Sequence, residues 1–136
     1  MRAVVFDNEA VQALSDPDHD KHRVVVAHLA AVVTRRRKGA LVLAVVPTAV
    51  RVEAGWDRSD ARAAAINRFR VVDHNLDTAV ADTAARVARR TGASVADAHV
   101  GAVVRHLPLD DVVVLTSDPD DMARVSAPKA ITAIRI

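Results

Sequence analysis

The sequence predicts one α/β domain with a parallel sheet covered by helices on both faces. Short, continuous apolar segments alternate with longer segments of helical periodicity along the chain. Strands that are buried on both faces have continuous apolar sequences of this kind. The 136 residues fit one compact domain, and a hydrophobic content of 51% argues against disorder. The alternation is typical of a three-layer α/β/α architecture.

The first elements are a strand, a short helix and a long helix. Residues 3–6 are a short apolar run and predict a strand, and residues 8–14 predict a helix. Pro17 lies in the charged turn that follows and prevents the helix from continuing. A long helix is predicted over residues 21–38. It has four consecutive cations in its last turn and Gly39 after it, and both features suit a helix C-terminus.

The middle of the chain predicts two strands separated by two helices. Residues 41–45 form the second apolar strand. Pro47 opens a helix that continues through Glu53, and a glycine two residues later ends it. An Ala- and Arg-rich helix is predicted over residues 58–69, followed by a brief third strand at residues 71–72.

The last third of the chain predicts a pair of helices, a strand, a short helix and a final strand. The helices cover residues 76–90 and 94–107, and the fourth strand covers residues 111–115. A short helix begins around Asp118, and residues 130–134 form the fifth strand. The residues expected to face inward from the first of these helices are Leu76, Val80, Ala84 and Val87.

Four acidic residues fall where an α/β fold can bring them to one end of the sheet. Asp7 directly follows the first strand, and Asp118 comes three residues after Leu115 of the fourth strand. Glu53 lies on the helix after the second strand, and Asp97 lies in the first turn of the helix that leads to the fourth strand. Ligands of open parallel sheets bind beyond the carboxyl ends of the strands, where the strand order reverses. If strands one and four are neighbours, these carboxylates form a cluster suited to Mg²⁺ or Mn²⁺.

Each of these acidic residues also has a purely structural interpretation. Asp7 can cap the helix that follows it, and Asp118 can do the same before a proline at the first helical position. Ser94 and Asp97 have the spacing of a capping box, and Glu53 can be a solvated helix residue. Any one of them alone is more often structural, so only their convergence favours a site.

The surroundings of the four residues resemble the acidic motifs of PIN domains. The segments are Val-Val-Phe-Asp at Asp7, Val-Glu at Glu53, Val-Ala-Asp-Ala-His at Asp97 and Val-Leu-Thr-Ser-Asp-Pro-Asp-Asp-Met at Asp118. Within that superfamily, the chain is similar to the VapC-like ribonuclease toxins of type II toxin–antitoxin pairs. The resemblance covers nearly the whole chain and implies a five-stranded parallel sheet in the order 3-2-1-4-5.

The resemblance also implies a Mg²⁺- or Mn²⁺-dependent endoribonuclease, and it assigns roles to particular residues. The implied catalytic and metal-binding residues are Asp7, Glu53, Asp97 and Asp118. The implied supporting residues, which could orient a carboxylate or a water, are Asn8, Thr116 and Ser117. The chain departs from the family pattern after Asp7, where Asn8 and Glu9 replace the usual small residue or small hydroxyl residue, although Asn8 can still bond a carboxylate or a water. It also departs at Met122, where the family often has an aromatic residue. Asp120 and Asp121 leave the identity of the fourth metal-binding residue open.

The implied reaction is an in-line attack on an RNA phosphodiester by water activated at the acidic site. The expected partners are the RNA substrate, a small cognate antitoxin and a second copy of the chain in a homodimer. Because RNA must approach an acidic pocket, cations are expected to ring it, and a subset of the arginines is expected to contact phosphate. The candidates are Arg35, Arg36, Arg37, Arg51, Arg58, Arg62, Arg68, Arg86, Arg89 and Arg90.

Composition excludes some chemistries and leaves others open. The absence of cysteine excludes disulfides, thiolate zinc sites and thiol nucleophiles, and it is compatible with the expected cytoplasmic location. No apolar run approaches the length of a membrane span. A receiver-like signalling domain is disfavoured because Asn8 and Glu9 replace its acidic pair. The open alternatives are a non-catalytic PIN-like module that binds RNA or protein, and a housekeeping RNA-processing nuclease.

Overall fold

A five-stranded, all-parallel sheet forms the centre of the protein in the computed structural model, which describes residues 1–136. Its strands are β1 (Arg2–Phe6), β2 (Val42–Pro47), β3 (Val71–His74), β4 (Asp111–Thr116) and β5 (Thr132–Arg135). Their order is β3-β2-β1-β4-β5. The predicted α/β class and strand order are therefore confirmed.

Seven helices flank this sheet, as expected of a three-layer α/β/α fold. They are α1 (Asn8–Ser15), α2 (His22–Arg37), α3 (Thr48–Ala54), α4 (Ala64–Arg68), α5 (Thr78–Thr91), α6 (Val95–His106) and α7 (Pro119–Ser126). Most predicted elements differ from these only at their ends, where helix and strand limits are least sharply defined. None of the helices is long and apolar enough to cross a membrane.

The central strand β1 fixes the position of the candidate site. Val5 lies between Val45 of β2 and Val114 of β4 in the parallel register. All three valines are buried, and 35 buried apolar residues form one continuous core around them. Because β1 pairs with both β2 and β4, the segments that follow these three strands leave the same edge of the sheet.

The helix predicted over residues 58–69 is much shorter in the structure. A single 3-10 turn, Ala61–Ala63, precedes the short helix α4. Arg58 lies outside any helix, and its side chain contacts residues beyond the predicted segment. Its guanidinium lies 4.5 Å from the centre of the Trp56 ring and 2.9 Å from the Asp73 carboxylate. The Asp60 side chain accepts a hydrogen bond from the Arg62 backbone N–H and so starts the 3-10 turn. Side-chain contacts outside the segment thus override its helical propensity.

The prediction that Leu76 faces inward is also wrong. Helix α5 begins only at Thr78, after the Asp77 side chain has capped it by accepting from the Val80 N–H at 2.9 Å. Leu76 therefore precedes the helix and is 38% exposed. Val80, Ala84 and Val87 are buried as predicted, and Thr83 is buried among them.

Gly101 marks the closest approach of α6 to α7 and provides a test of this packing. A Cβ atom there would overlap the backbone carbonyl of Val125. Replacing a helical glycine by alanine usually stabilises a helix by about 1 kcal/mol. Here we expect Gly101→Ala to lower the free energy of unfolding by about 1–3 kcal/mol because of overpacking, as measured by urea denaturation. A stabilised variant would contradict the described α6–α7 contact.

Candidate active site

An acidic cleft of about 230 Å³ lies at the carboxyl edge of the sheet. The residues that line it are Asp7, Asn8, Glu9, Glu53, Asp97, Thr116, Ser117, Asp118, Asp121 and Met122. The structure therefore brings together all four predicted acidic residues and all three predicted supporting residues. These residues come from four separate parts of the chain, as the topology of parallel strands requires.

Asp7 is the buried member of the cleft and is only 5% exposed. Its carboxylate caps α1 by accepting from the Ala10 N–H at 2.9 Å, and its own N–H donates to the Leu115 carbonyl of β4 at 3.2 Å. Burial raises the pKa of Asp7, while the Thr116 hydroxyl and the N–H groups of Ala10 and Ser117 oppose this rise. Asp7 therefore caps α1, as the structural interpretation predicts, and its carboxylate still lines the cleft.

Asp97 lies across from Asp7 and is partly buried. Its backbone N–H donates to the Ser94 hydroxyl at 3.2 Å, but no reciprocal bond joins its carboxylate to the Ser94 N–H. The Asp97 carboxylate is thus free to face the cleft. Burial is the largest cause of its raised pKa, and the other causes are the negative charges of Glu53, Asp7, Asp121 and Asp118, in that order. All of these carboxylates line the same cleft, so their negative charges repel one another.

Glu53 and Asp118 form the solvent-exposed side of the cleft. Asp118 caps α7 by accepting from the Asp121 N–H at 3.1 Å, and its own N–H donates to the Thr116 hydroxyl at 2.9 Å. Thr116 therefore contacts both Asp7 and Asp118 and couples their positions. Glu53 makes no side-chain hydrogen bond and remains available to a ligand.

His99 fixes the helix that carries Glu53. The side chain is completely buried, and its Nδ1 accepts from the Ala49 N–H in the first turn of α3 at 3.2 Å. Burial, and secondarily the neighbouring His74, lowers the pKa of His99 to about 4, so the ring is neutral at neutral pH. Its burial and its bond to Ala49 give His99 a role in packing.

The side chains of the cleft offer oxygen ligands that suit a divalent cation, although they are not arranged around a single point. Carboxylate and hydroxyl oxygens are the hard ligands that Mg²⁺ and Mn²⁺ prefer. In the structure, no three acidic, histidine or cysteine side chains are positioned to hold one ion together. Neighbouring carboxylates repel one another unless a proton or cation lies between them. The cleft therefore has the ligand types that a divalent cation prefers, and a bound cation would draw the carboxylates closer together.

Two further acidic residues line the cleft. Asp121 lies one helical turn after Asp118, and this spacing of three residues could have placed it in the site from sequence. Asp120 does not line the cleft, so Asp121 is the additional candidate for metal binding. The Asp121 carboxylate also pairs with Arg124 at 2.8 Å. Glu9 pairs with His19 at 3.2 Å, which partly neutralises its charge when that ring is protonated.

None of the arginines expected to ring the cleft lines it. The lysine and arginine side chains that pair with its acidic residues are Lys21, at 3.6 Å from Glu9, and Arg124, at 2.8 Å from Asp121. Arg51 and Arg58 instead pair with Asp73 at 2.8 and 2.9 Å. The cations at the end of α2 directly precede β2, so they lie at the opposite edge of the sheet. The cleft is therefore more acidic than the sequence led us to expect.

The pKa shifts predict how acidity affects the stability of the fold. A carboxyl whose folded pKa is raised binds more protons when folded, so stability falls as pH rises from 3.8 through the folded pKa. At pH 7, in buffer that contains a chelator, the charged Asp97 carboxylate destabilises the folded state. We therefore expect Asp97→Asn to raise the free energy of unfolding by roughly 0.5–1 kcal/mol, as measured by denaturation. This gain should shrink as pH falls toward the unperturbed value.

Asp120→Asn is the matched control, since it removes the same charge from a neighbouring position outside the cleft. We expect it to change stability little and without the same pH dependence. A destabilising Asp97→Asn substitution, or a gain that is independent of pH, would contradict the described electrostatics.

Comparison with known proteins adds no assignment to this geometry. No protein-family model matches the chain, and no curated protein matches it significantly. The interpretation of the cleft therefore rests on its own residues and on the fold that positions them.

Proposed function

We propose that this protein is a Mg²⁺- or Mn²⁺-dependent endoribonuclease of the PIN-domain type. The observation that carries the proposal is the presence of Asp7, Glu53, Asp97 and Asp118 in one cleft at the carboxyl edge of the sheet. Burial raises the pKa of both Asp7 and Asp97, and the negative charges of the other carboxylates in the cleft add to the rise at Asp97. A divalent cation would relieve this repulsion.

Within this proposal, Asp7 and Asp97 would hold the cation, and Glu53 and Asp118 would complete its surroundings directly or through water. When bound, the cation would lower the pKa of a water molecule and neutralise charge that develops on the phosphate. Asp121 is placed to share this role with Asp118.

The protein's own groups would orient the reaction. Asp7 is held by the Ala10 N–H and by its burial, so its carboxylate has little freedom to turn away. Thr116 fixes Asp118 relative to Asp7. Glu53 is exposed and unbonded, which suits a group that positions the attacking water and accepts its proton.

A non-catalytic binding module is the second candidate, and two observations favour it. No three acidic side chains are positioned around one ion, and no lysine or arginine lines the cleft to hold a phosphate. In that case the acidic cleft would receive a basic side chain from a protein partner. A housekeeping RNA-processing nuclease shares the proposed chemistry and differs only in substrate.

Toxin membership adds a small antitoxin as a proposed partner. An apolar groove of about 420 Å³ adjoins the cleft and shares Glu53 with it. The groove is lined by Val52 and Val95, which are 82% and 69% exposed, and by Leu76. This pairing of apolar and acidic surfaces would accept a peptide with an apolar side chain next to an Arg or Lys. In helices α1 and α2, only Val24 is a large exposed apolar residue, so this groove is the better apolar surface for such a partner.

The proposed homodimer is checked by light scattering of the purified chain. We expect a mass of twice 14.5 kDa at micromolar concentration. A mass of one chain at every concentration would contradict the prediction without bearing on the chemistry of the cleft.

RNA cleavage tests the proposed activity. We expect the purified protein to cleave a mixed RNA pool in Mg²⁺ or Mn²⁺ and to lose activity in EDTA. Asp97→Asn should reduce the cleavage rate by about 100-fold or more, the scale for removing one group that stabilises charge in the transition state.

Asp120→Asn serves again as the matched control and should retain most of the activity. Full activity of Asp97→Asn, or activity that persists in EDTA, would contradict the proposed chemistry. Cation binding without cleavage of any RNA in the pool would instead favour the non-catalytic module.

A further inference from the structure

A concentration of positive charge lies at the edge of the sheet opposite the acidic cleft. The C-terminal end of α2 and the C-terminal end of α4 meet there, immediately before β2 and β3 begin. We call this surface the basic edge, and it consists of Arg35, Arg36, Arg37, Lys38, Arg68 and Arg70. The two segments are 30 residues apart in the sequence, so only the fold brings them together.

Arg36 joins the two halves of the basic edge. Its Nε donates to the Val42 carbonyl at 3.0 Å, and its Nη1 donates to the Phe69 carbonyl at 2.6 Å. Phe69 directly precedes Arg70, so this bond brings Arg36 close to Arg70. Burial, and secondarily the charge of Arg70, lowers the pKa of Arg36. Arg36 therefore has a structural role and holds the ends of α2 and α4 side by side.

The remaining five cations are exposed and have no carboxylate partner. The ion pairs of the protein involve other residues, and none includes a member of the basic edge. Two helix C-termini favour nearby cations and explain part of this accumulation. The partial negative charges of two helix C-termini are too small to neutralise six positive charges. The repulsion among these cations therefore opposes folding unless an anion is bound.

Arg70 adds evidence from the backbone. It is the only residue other than glycine with a positive φ, at 52°. A side chain in this left-handed conformation costs on the order of 1 kcal/mol, and the position after a helix end is usually glycine or asparagine. Glycine or asparagine would relieve this strain but would carry no charge. The presence of arginine therefore suggests that the guanidinium has a role.

We propose that the basic edge binds phosphate groups of a single-stranded RNA that also reaches the acidic cleft. Arginine suits this role because its planar guanidinium bonds phosphate oxygens in pairs. The choice of RNA as the polyanion rests on the proposed function. Strands of five or six residues separate the two edges by about 17–20 Å, so a strand that contacts both is several nucleotides long. This remote anchor would supply the phosphate contacts that the cleft itself lacks.

Binding of a labelled 16-nucleotide RNA of mixed sequence, followed by fluorescence anisotropy in EDTA, tests the proposal without requiring cleavage. The variant combines Arg37→Gln, Lys38→Gln and Arg70→Asn. Asparagine tolerates positive φ, and Arg36 is left intact to keep the two helix ends together. We expect binding at low salt to weaken by about tenfold or more. The slope of log affinity against log salt should fall by roughly 2, because about three phosphate contacts are lost.

The matched control removes three exposed arginines that lie outside the basic edge, through Arg23→Gln, Arg62→Gln and Arg89→Gln. Arg62 and Arg89 were candidates for phosphate contact at the cleft, but neither lines it. It has the same net charge as the test variant, and we expect its affinity to change by less than about threefold. Thermal unfolding should show that both variants are folded. Equal losses in the two variants, or no loss in either, would overturn the proposal.

Competition with polyglutamate distinguishes RNA from an acidic protein as the ligand. We expect unlabelled RNA to displace the labelled strand from the wild-type protein at far lower concentration than polyglutamate of equal charge. Equal competition would overturn the assignment of RNA. Failure of cleavage with a selective loss of binding in the test variant would contradict the proposed activity and leave this inference intact.

Discussion

The arrangement of the site depends on the burial of one carboxylate, that of Asp7, at the end of the central strand. The parallel pairing of β1 with both β2 and β4 leaves this residue only 5% exposed. Burying a carboxylate is costly unless hydrogen bonds compensate for the lost hydration. The Ala10 N–H supplies one such bond, and Thr116 approaches from the next strand. Glu9 adds repulsion to this desolvated group, and the charge of Asp7 in turn contributes to the raised pKa of Asp97. This repulsion is the physical basis for expecting a cation.

Charge in this protein is separated between the two edges of the sheet. The net charge of +2 conceals an acidic cleft at the carboxyl edge and a basic edge at the other. A phosphate chain would meet repulsion from the carboxylates without a cation and attraction at the opposite edge. In the proposed function the acidic cleft would carry out the cleavage, and the basic edge would bind the phosphates of the substrate.

Much of the fold was predictable because continuous apolar strands and capped helices are local features. The α/β class follows from them, whereas the strand order came from the resemblance to PIN domains and is seen in the structure. The failures arise where tertiary contacts dominate. Arg58 leaves its predicted helix to contact Trp56 and Asp73, and Leu76 becomes exposed because Asp77 caps the next helix.

The site was predictable to the extent that it follows strand ends. Asp7 and Asp118 were placed by their positions after β1 and β4, and Glu53 and Asp97 by their positions on the helices after β2 and before β4. The resemblance added their implied roles. Asp121 could have been separated from Asp120 by helical spacing. The positions of the arginines could not be inferred from composition, because the same guanidinium can pair with a carboxylate, bond a carbonyl or face solvent. Arg51 and Arg36 do the first two of these.

The most direct measurement is a calorimetric titration of the RNA-free protein with Mn²⁺, repeated with Asp7→Asn. The central claim is that the four carboxylates act as one cation-binding unit. We expect saturable binding that Mg²⁺ competes for and that Asp7→Asn abolishes. Protons should be released on binding at acidic pH, because the cation displaces them from carboxyl groups with raised pKa. No saturable binding, or undiminished binding by Asp7→Asn, would contradict the claim.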